Sequence, residues 1–382
     1  MHIASRPIGS QQPPYIIAEL GVNHDGSIDR ALELTRACAH AGANAIKLQL
    51  FDASMLMSRA SVLAAYQKNA GESDAIAMLQ RLQLSIADME PVVQLAHSLR
   101  LHAIVTVFSV ELVAVAEKLP WDAYKTASPD IINKPLLDEL ARTGKPIIVS
   151  TGASTLQEVG RALSWLRSCR DRLSVLQCVS SYPTALENAE LGGITAIQDI
   201  FDGPVGYSDH TQAIETGAMA IVGGACMLEK HVTYDRTAPG PDHAASLTPE
   251  MFHDYRVLAH RAMQHCFPLA DRGTGGIVTP HAGDDASGHD MVEAMRETLS
   301  RVPKTKRVLD IENDVRRVSR QSVVSVRALA AGDVLTRDDL TIKRPGTGVP
   351  AFELEHVIGR QLARHVEADM PLQATDLVIQ LT

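Results

Sequence analysis

From Tyr15 to about Met263, short β-rich apolar runs alternate with longer amphipathic runs. The runs YIIAEL (15–20), AIKLQLF (45–51), HAIVTVF (102–108), AYKTAS (123–128), PIIVST (146–151), LSVLQCVS (173–180), PVGYSDH (204–210) and MLEKHVT (227–233) predict strands. Between them, DRALELTRACAHAG, ELVAVAEKL, PLLDELARTG, LQEVGRALSWLRS and ETGAMAIVGGA carry helical spacing, and several stop at glycine. The connection between the second and third strands, residues 52–101, is long and holds further helical pattern. Eight β/α units over about 250 residues predict an α/β fold of the (β/α)8 TIM barrel type. A doubly wound open sheet is the alternative, but it usually has fewer strands. No Gly-x-Gly-x-x-Gly turn flanks the first strand.

The texture then breaks. DRGTGGIVTPHAGDDASGHD (271–290) reads as a flexible linker or surface loop, with metal binding by its His281 and His289 as the minor alternative. A charged helical stretch, MVEAMRETLSRVPKTKRV, follows. From Gln321 short β-like pieces alternate with tight turns at Gly332-Asp333 and Pro345 to Gly348. The expected organisation is a barrel over 1–270, a linker over 271–320 and a small domain over 321–382.

Aromatic residues make up only 4% of the 382-residue chain, so Leu, Ile, Val and Ala must build its core. The net charge of -9 argues against nucleic acid but not against a small anion held by a few focused cations. Cys38, Cys169, Cys178, Cys226 and Cys266 show no zinc-ligand spacing and predict buried free thiols. MHIASRPIGSQQPP has no signal pattern, and no apolar run approaches the ~20 residues of a membrane span. A cytoplasmic protein that binds no membrane is expected.

In such a barrel the chemistry comes from the C-terminal ends of several strands, and inward residues alternate along each strand. Strand 1 ends in Glu19, and strand 2 carries Lys47 and Gln49, two apart. Strand 3 offers Thr106, strand 4 Lys125 and Ser128, strand 5 Ser150, and strand 6 Ser180 with Tyr182 beyond it. Strand 7 carries Ser208 and His210, and strand 8 Glu229 and His231, each pair two apart. Lysines inside a barrel are unfavourable unless paired. Beside hydroxyls they suit a phosphate or carboxylate. Two imidazoles on adjacent strands suit a divalent Lewis-acid metal with water in its open positions. Singly, each group has a plainer reading: a structural histidine, a solvated lysine, a helix-capping glutamate. Polar groups at all eight strand ends together favour a site.

These residues sit in longer motifs. IIAELGVNHDGSIDRALELTRACAHAGANAIKLQ, YKTASPDIINKPLLDELARTGKPIIVSTG, YPTALENAEL, GYSDHT and LEKHVTYDRTAPGPDHAASLTPE resemble the sialic acid synthase family. LTIKRPGTG resembles that family's C-terminal antifreeze-protein-like (SAF, β-clip) domain. The resemblance covers nearly the whole chain. It implies condensation of phosphoenolpyruvate, an N-acylated mannose-type sugar and water to a nine-carbon α-keto acid sugar and phosphate. It also implies a homodimer in which each small domain covers the partner's barrel mouth.

Carried over residue by residue, the resemblance makes His210 and His231 the ligands of Mn2+ or Mg2+. Lys47, Thr106, Lys125, Ser128 and Ser208 match phosphoenolpyruvate-holding positions, and Ser180 falls where another small polar residue is common. Glu19 matches a carboxylate at the reacting centre, and Glu229 is expected to face the metal. Gln49, Tyr182 and Asp242 match sugar-contacting positions, and Arg344 would reach the sugar from the partner. Asp130 stands where a longer Glu is expected, and RQS (320–322) replaces a more basic pair. Accepted sugars in the family include N-acetylmannosamine, its 6-phosphate and diacetamido-trideoxy hexoses. AYQ, within residues 64–82, resembles the legionaminate-type branch. The competing readings are a Schiff-base aldolase using Lys47 or Lys125 and a catalytically silent carbohydrate-binding barrel.

Overall fold

The computed structural model describes residues 1–266 and 285–378. Eight parallel strands close into a barrel. They are β1 Tyr15–Glu19, β2 Ala45–Leu50, β3 His102–Val107, β4 Ala123–Thr126, β5 Ile147–Ser150, β6 Leu173–Cys178, β7 Val205–Asp209 and β8 Met227–His231. The expected TIM barrel with a small C-terminal domain is therefore the observed fold.

Alternation sorts each strand. Outward residues such as Ile16, Ala18, Ile46, Leu48, Val105, Val149 and Leu228 join the layer between barrel and helices. Inward residues split by height. Tyr15, Ile17, Ala45, Ile104, Ile148, Leu176 and Met227 fill the lower barrel with apolar side chains. The polar residues come above them. Register then fixes neighbours: Glu19 lies opposite Lys47 and His231, Thr106 opposite Gln49 and Lys125, and Ser208 opposite Glu229.

An N-terminal hairpin, His2–Ile3 paired with Arg6–Pro7, sets Ile3 and Ile8 against the lower core. Two-residue strands carry no periodicity, so the sequence pattern does not announce it. The long β2–β3 connection contains helices Ala53–Leu56, Ala65–Asn69, Ala75–Leu82 and Ile86–Ser98. Residues of the first and third pack with Val22, Phe51 and Phe108 as a separate apolar cluster.

Most of the glycine-rich stretch, including His281, lies outside the described residues. From Asp285, however, the chain is helical to Ser300, which corrects the loop expectation for residues 285–290. The reason is packing. Gly288 is buried, and a Cβ there would lie 2.2 Å from the His265 ring, so this glycine permits a close helix contact rather than a turn. His289 is exposed.

Beyond residue 300 the chain crosses the C-terminal mouth of the barrel. The small domain then pairs Ser322–Ser325 antiparallel with Leu340–Lys343 around its own core of Val323, Leu335, Leu354 and Leu362. Gly332 takes a positive φ of 91° in the expected turn. Cys38, Cys169, Cys178 and Cys226 are buried, Cys266 is partly buried, and all are free thiols. Among the described residues, no helix is long and apolar enough to cross a membrane.

Candidate active site

The upper ends of the strands surround a cavity, and Glu19 is the pivot of its floor. Its Oε1 accepts from the Gly21 amide (2.8 Å) and from Gln49 Nε2 (3.1 Å), while Oε2 pairs with Lys47. Lys47 also donates to Thr106 Oγ1 (3.0 Å) and lies 3.7 Å from Glu229 Oε2. Glu229 Oε1 in turn lies 3.1 Å from Lys125 Nζ and accepts from Ser208 Oγ at 2.9 Å. Two lysines and two glutamates thus neutralise one another in a buried chain. This refines the expectation of lysines waiting for an anion: buried charges need partners, and the barrel supplies them.

The quartet splits the carboxyl pKa values. Burial pushes Glu19 up to about 7 against the pull of Lys47. Burial works the same way on Glu229, but Lys125 and Lys47 outweigh it and bring that carboxyl down to about 2. For Lys47, burial is more than offset by Glu19 and Glu229, which hold it charged. Such divergent carboxyls in one cleft are a mark of acid–base sites.

Beside the quartet, serine hydroxyls converge from three strand ends. Ser128 Oγ lies 3.1 Å from Ser150 Oγ and accepts from the Gly152 amide at 2.9 Å. A Cβ at residue 152 would stand 2.2 Å from Ser180 Oγ and 2.7 Å from Ser128 Oγ. Glycine there is what lets the hydroxyls meet.

At the ends of β7 and β8, the rings of His210 and His231 stand 5.6 Å apart, with the Tyr182 ring 4.1 Å from His210. His210 Nδ1 hydrogen-bonds Val179 O at 2.7 Å, which leaves Nε2 as the free lone pair. His231 Nδ1 is buried with no hydrogen-bond partner and lies 3.8 Å from Asp242 Oδ2. Among the described residues, no group of three or more His, Cys, Asp or Glu side chains gathers as a closed metal cage. Two imidazoles with unused nitrogens fit a divalent cation that keeps open positions for water and substrate. Lys230 points outward, as alternation requires, and is buried 3.0 Å from Asp209.

Asp242 also lines the cavity, and burial pushes its carboxyl up to about 6. Its loop is tied down by His243, which bonds Thr233 Oγ1 (2.7 Å) and Asp25 Oδ1 (3.0 Å). The two partners of His243 come from separate loops.

Arg344 closes the mouth from the small domain. Its amide donates to Leu56 O at 2.9 Å, and its carbonyl accepts from Ser58 N and Ser58 Oγ at 3.1 and 2.7 Å. These contacts form within one chain, whereas the resemblance assigned Arg344 to a partner. Burial lowers the Arg344 pKa, opposed by Asp130. Asp130 is itself fully buried with neither oxygen hydrogen-bonded, and burial pushes it up to about 7.

Of the site residues expected from the sequence, all but Glu19 line the cavity, and Glu19 touches Lys47 and Gln49, which do. Tyr66, of the AYQ stretch that resembles the legionaminate-type branch, also lines it, with its ring 5.0 Å from that of Tyr182.

Comparison with known proteins places this geometry. Residues 34–265 match the NeuB family and residues 320–378 the SAF domain. The chain is 33% identical to N,N'-diacetyllegionaminic acid synthase of Legionella pneumophila, covering 96% of this chain and 95% of that protein. It is 29% identical to the Campylobacter jejuni protein of the same name, covering 93% and 97%. The spore coat polysaccharide biosynthesis protein SpsE of Bacillus subtilis superposes with a TM-score of 0.75 at 25% identity, covering 100% of this chain and 99% of that one.

Proposed function

The chain belongs to the NeuB family, and from that premise we propose that it condenses phosphoenolpyruvate with an N-acylated mannose-type sugar. The methylene carbon of phosphoenolpyruvate forms a bond to the sugar aldehyde carbon as its double bond opens, and the aldehyde oxygen gains a proton. Water adds at the phosphate-bearing carbon and gives up its protons, the bond from that carbon to the phosphate oxygen breaks, phosphate leaves, and a nonulosonic acid with a keto group at that carbon results. The observation that carries this reading is the buried quartet of Glu19, Lys47, Glu229 and Lys125 beside the converging serines. The quartet is neutral as it stands, so an entering anion favours uptake of a proton. Glu19, pushed up to about 7, is the group able to take and return one near neutral pH.

His210 and His231 are proposed to hold Mn2+ or Mg2+, which when bound supplies Lewis-acid polarisation of the sugar aldehyde. The free thiols support the cytoplasm as the place of action.

The proposed acceptor is a diacetamido-trideoxy hexose, with N-acetylmannosamine as the second reading. Val22, Phe51, Leu56, Met78, Leu79 and Leu82 form an apolar side of the cavity. A deoxy carbon and an acetamido methyl suit that surface, whereas a 6-phosphate would lose its hydration there. The two legionaminic acid synthases among the relatives support the same choice. Phosphate release from phosphoenolpyruvate, with Mn2+ and each of the three sugars in turn, tests it. Release with the trideoxy sugar at the highest kcat/KM is expected. Preference for the 6-phosphate would refute the acceptor assignment, and phosphoenolpyruvate that neither binds nor reacts would refute the whole reading.

A homodimer with exchanged small domains is also proposed, since it would preserve every Arg344 contact and change only which copy supplies it. Mixing unfolded and refolded H231A and R344A chains checks this. Exchange creates hybrid sites with both residues and restores activity. No recovery would leave each site closed by its own chain.

A further inference from the structure

The segment joining barrel to small domain is built into the wall of the site. Glu312 is fully buried, 46 residues beyond the last described residue of the barrel, Cys266. Its Oε1 accepts from two backbone amides on different strand ends, Ala153 N at 2.6 Å and Ser180 N at 2.7 Å. Its Oε2 accepts from Leu309 N at 2.9 Å. Both amides flank the hydroxyl cluster: Ser180 lines the cavity, and Ala153 follows the glycine against which Ser128 and Ser180 converge.

Ala153 is held from both sides. Its φ is 51°, a conformation that residues other than glycine adopt rarely. Its N–H goes to Glu312, and its carbonyl accepts from Arg316 (2.5 Å) and Arg320 (3.1 Å) of the same joining segment. A carboxylate behind an anion seat would normally repel the ligand. Here Lys306 is buried nearby, with Nζ 3.2 Å from Cys178 O, and interacts electrostatically with Glu312. Arg316 and Arg320 add positive charge and pair with Glu158 at 2.8 and 2.6 Å.

We infer that Glu312 is a positioning residue for the anion seat: its carboxylate clamps the amides of Ala153 and Ser180 and so holds the Ser128, Ser150 and Ser180 hydroxyls in their convergent arrangement. The seat is then complete only when the joining segment is docked. This rests on the reading of those hydroxyls and lysines as the phosphoenolpyruvate seat.

Calorimetric titration of phosphoenolpyruvate into the full-length protein, without sugar, tests it. Glu312→Ala is expected to weaken binding by about 10- to 100-fold, the scale of hydrogen bonds to a charged group. Glu312→Asp keeps the charge but draws the carboxylate back from the amides, and is expected to weaken binding as well. Glu312→Gln keeps an oxygen for both amides and should stay within about threefold of wild type. Glu158→Gln weakens the ion pairs with Arg316 and Arg320 but leaves the segment docked with Glu312 on both amides, and should also stay within about threefold. Wild-type affinity in both Glu312→Ala and Glu312→Asp would overturn the inference, as would a loss in Glu158→Gln equal to that in Glu312→Ala. Absence of binding by the wild type would remove the seat itself, a failure of the underlying reading that is distinct from a failure of the clamp.

Discussion

Replacing His231 with alanine is expected to lower kcat by about 10³-fold while leaving the fold intact. Lewis-acid polarisation of a carbonyl contributes several kcal/mol, and each 1.36 kcal/mol is about tenfold in rate. The variant should fold because His231 Nδ1 has no hydrogen-bond partner, so truncation leaves no buried donor or acceptor stranded. His210→Ala is expected to lose turnover equally but to be less stable by about 1–3 kcal/mol. The difference is Val179 O, which His210 Nδ1 now satisfies at 2.7 Å. Manganese affinity, measured by calorimetry on each variant, should fall with turnover. An H231A protein with wild-type manganese affinity and wild-type kcat would end the metal assignment.

Glu229→Ala should be among the most destabilising single changes in the barrel. Glu229 lies 3.1 Å from Lys125 and 3.7 Å from Lys47, and its removal leaves two buried ammonium groups facing Glu19 alone. Breaking a buried pair from one side typically costs about 3–5 kcal/mol, because the surviving charge stays desolvated. For a chain of this size that corresponds to a fall in Tm of roughly 5 °C. The double variant E229A/K125M restores the balance of charge and should recover a substantial part of the loss. A drop below about 1 kcal/mol in the single variant would show that the quartet is not one compensated unit. Catalysis should fail in both variants, since Lys125 and Glu229 are proposed parts of the seat.

The candidate site was legible to an unusual depth because barrel chemistry is carried by an i, i+2 pattern. Lys47 and Gln49, Ser208 and His210, and Glu229 and His231 each declare a common face two residues apart, and the structure places each pair on the cavity. Lys230 confirms the rule from the other side, turned outward to Asp209. The resemblance added Arg344 and Asp242, which lie on irregular segments where no periodicity operates. Gly288 shows the limit of composition: its neighbours read as loop, yet its lack of a side chain serves helix packing.

The sequence alone therefore determined the barrel, the strand ends that carry chemistry, and the second domain. Those properties follow from spacing along the chain, which is local. Only the tertiary structure decided which charges neutralise which, because Glu19 meets Lys47, and Glu229 meets Lys125, through strand register and closure. It also decided that Arg344 reaches the mouth over residues 56–58, that His243 anchors a loop on Asp25, and that Glu312 clamps two strand ends. Each of these contacts joins residues far apart in sequence, where the partner is set by how the whole chain packs.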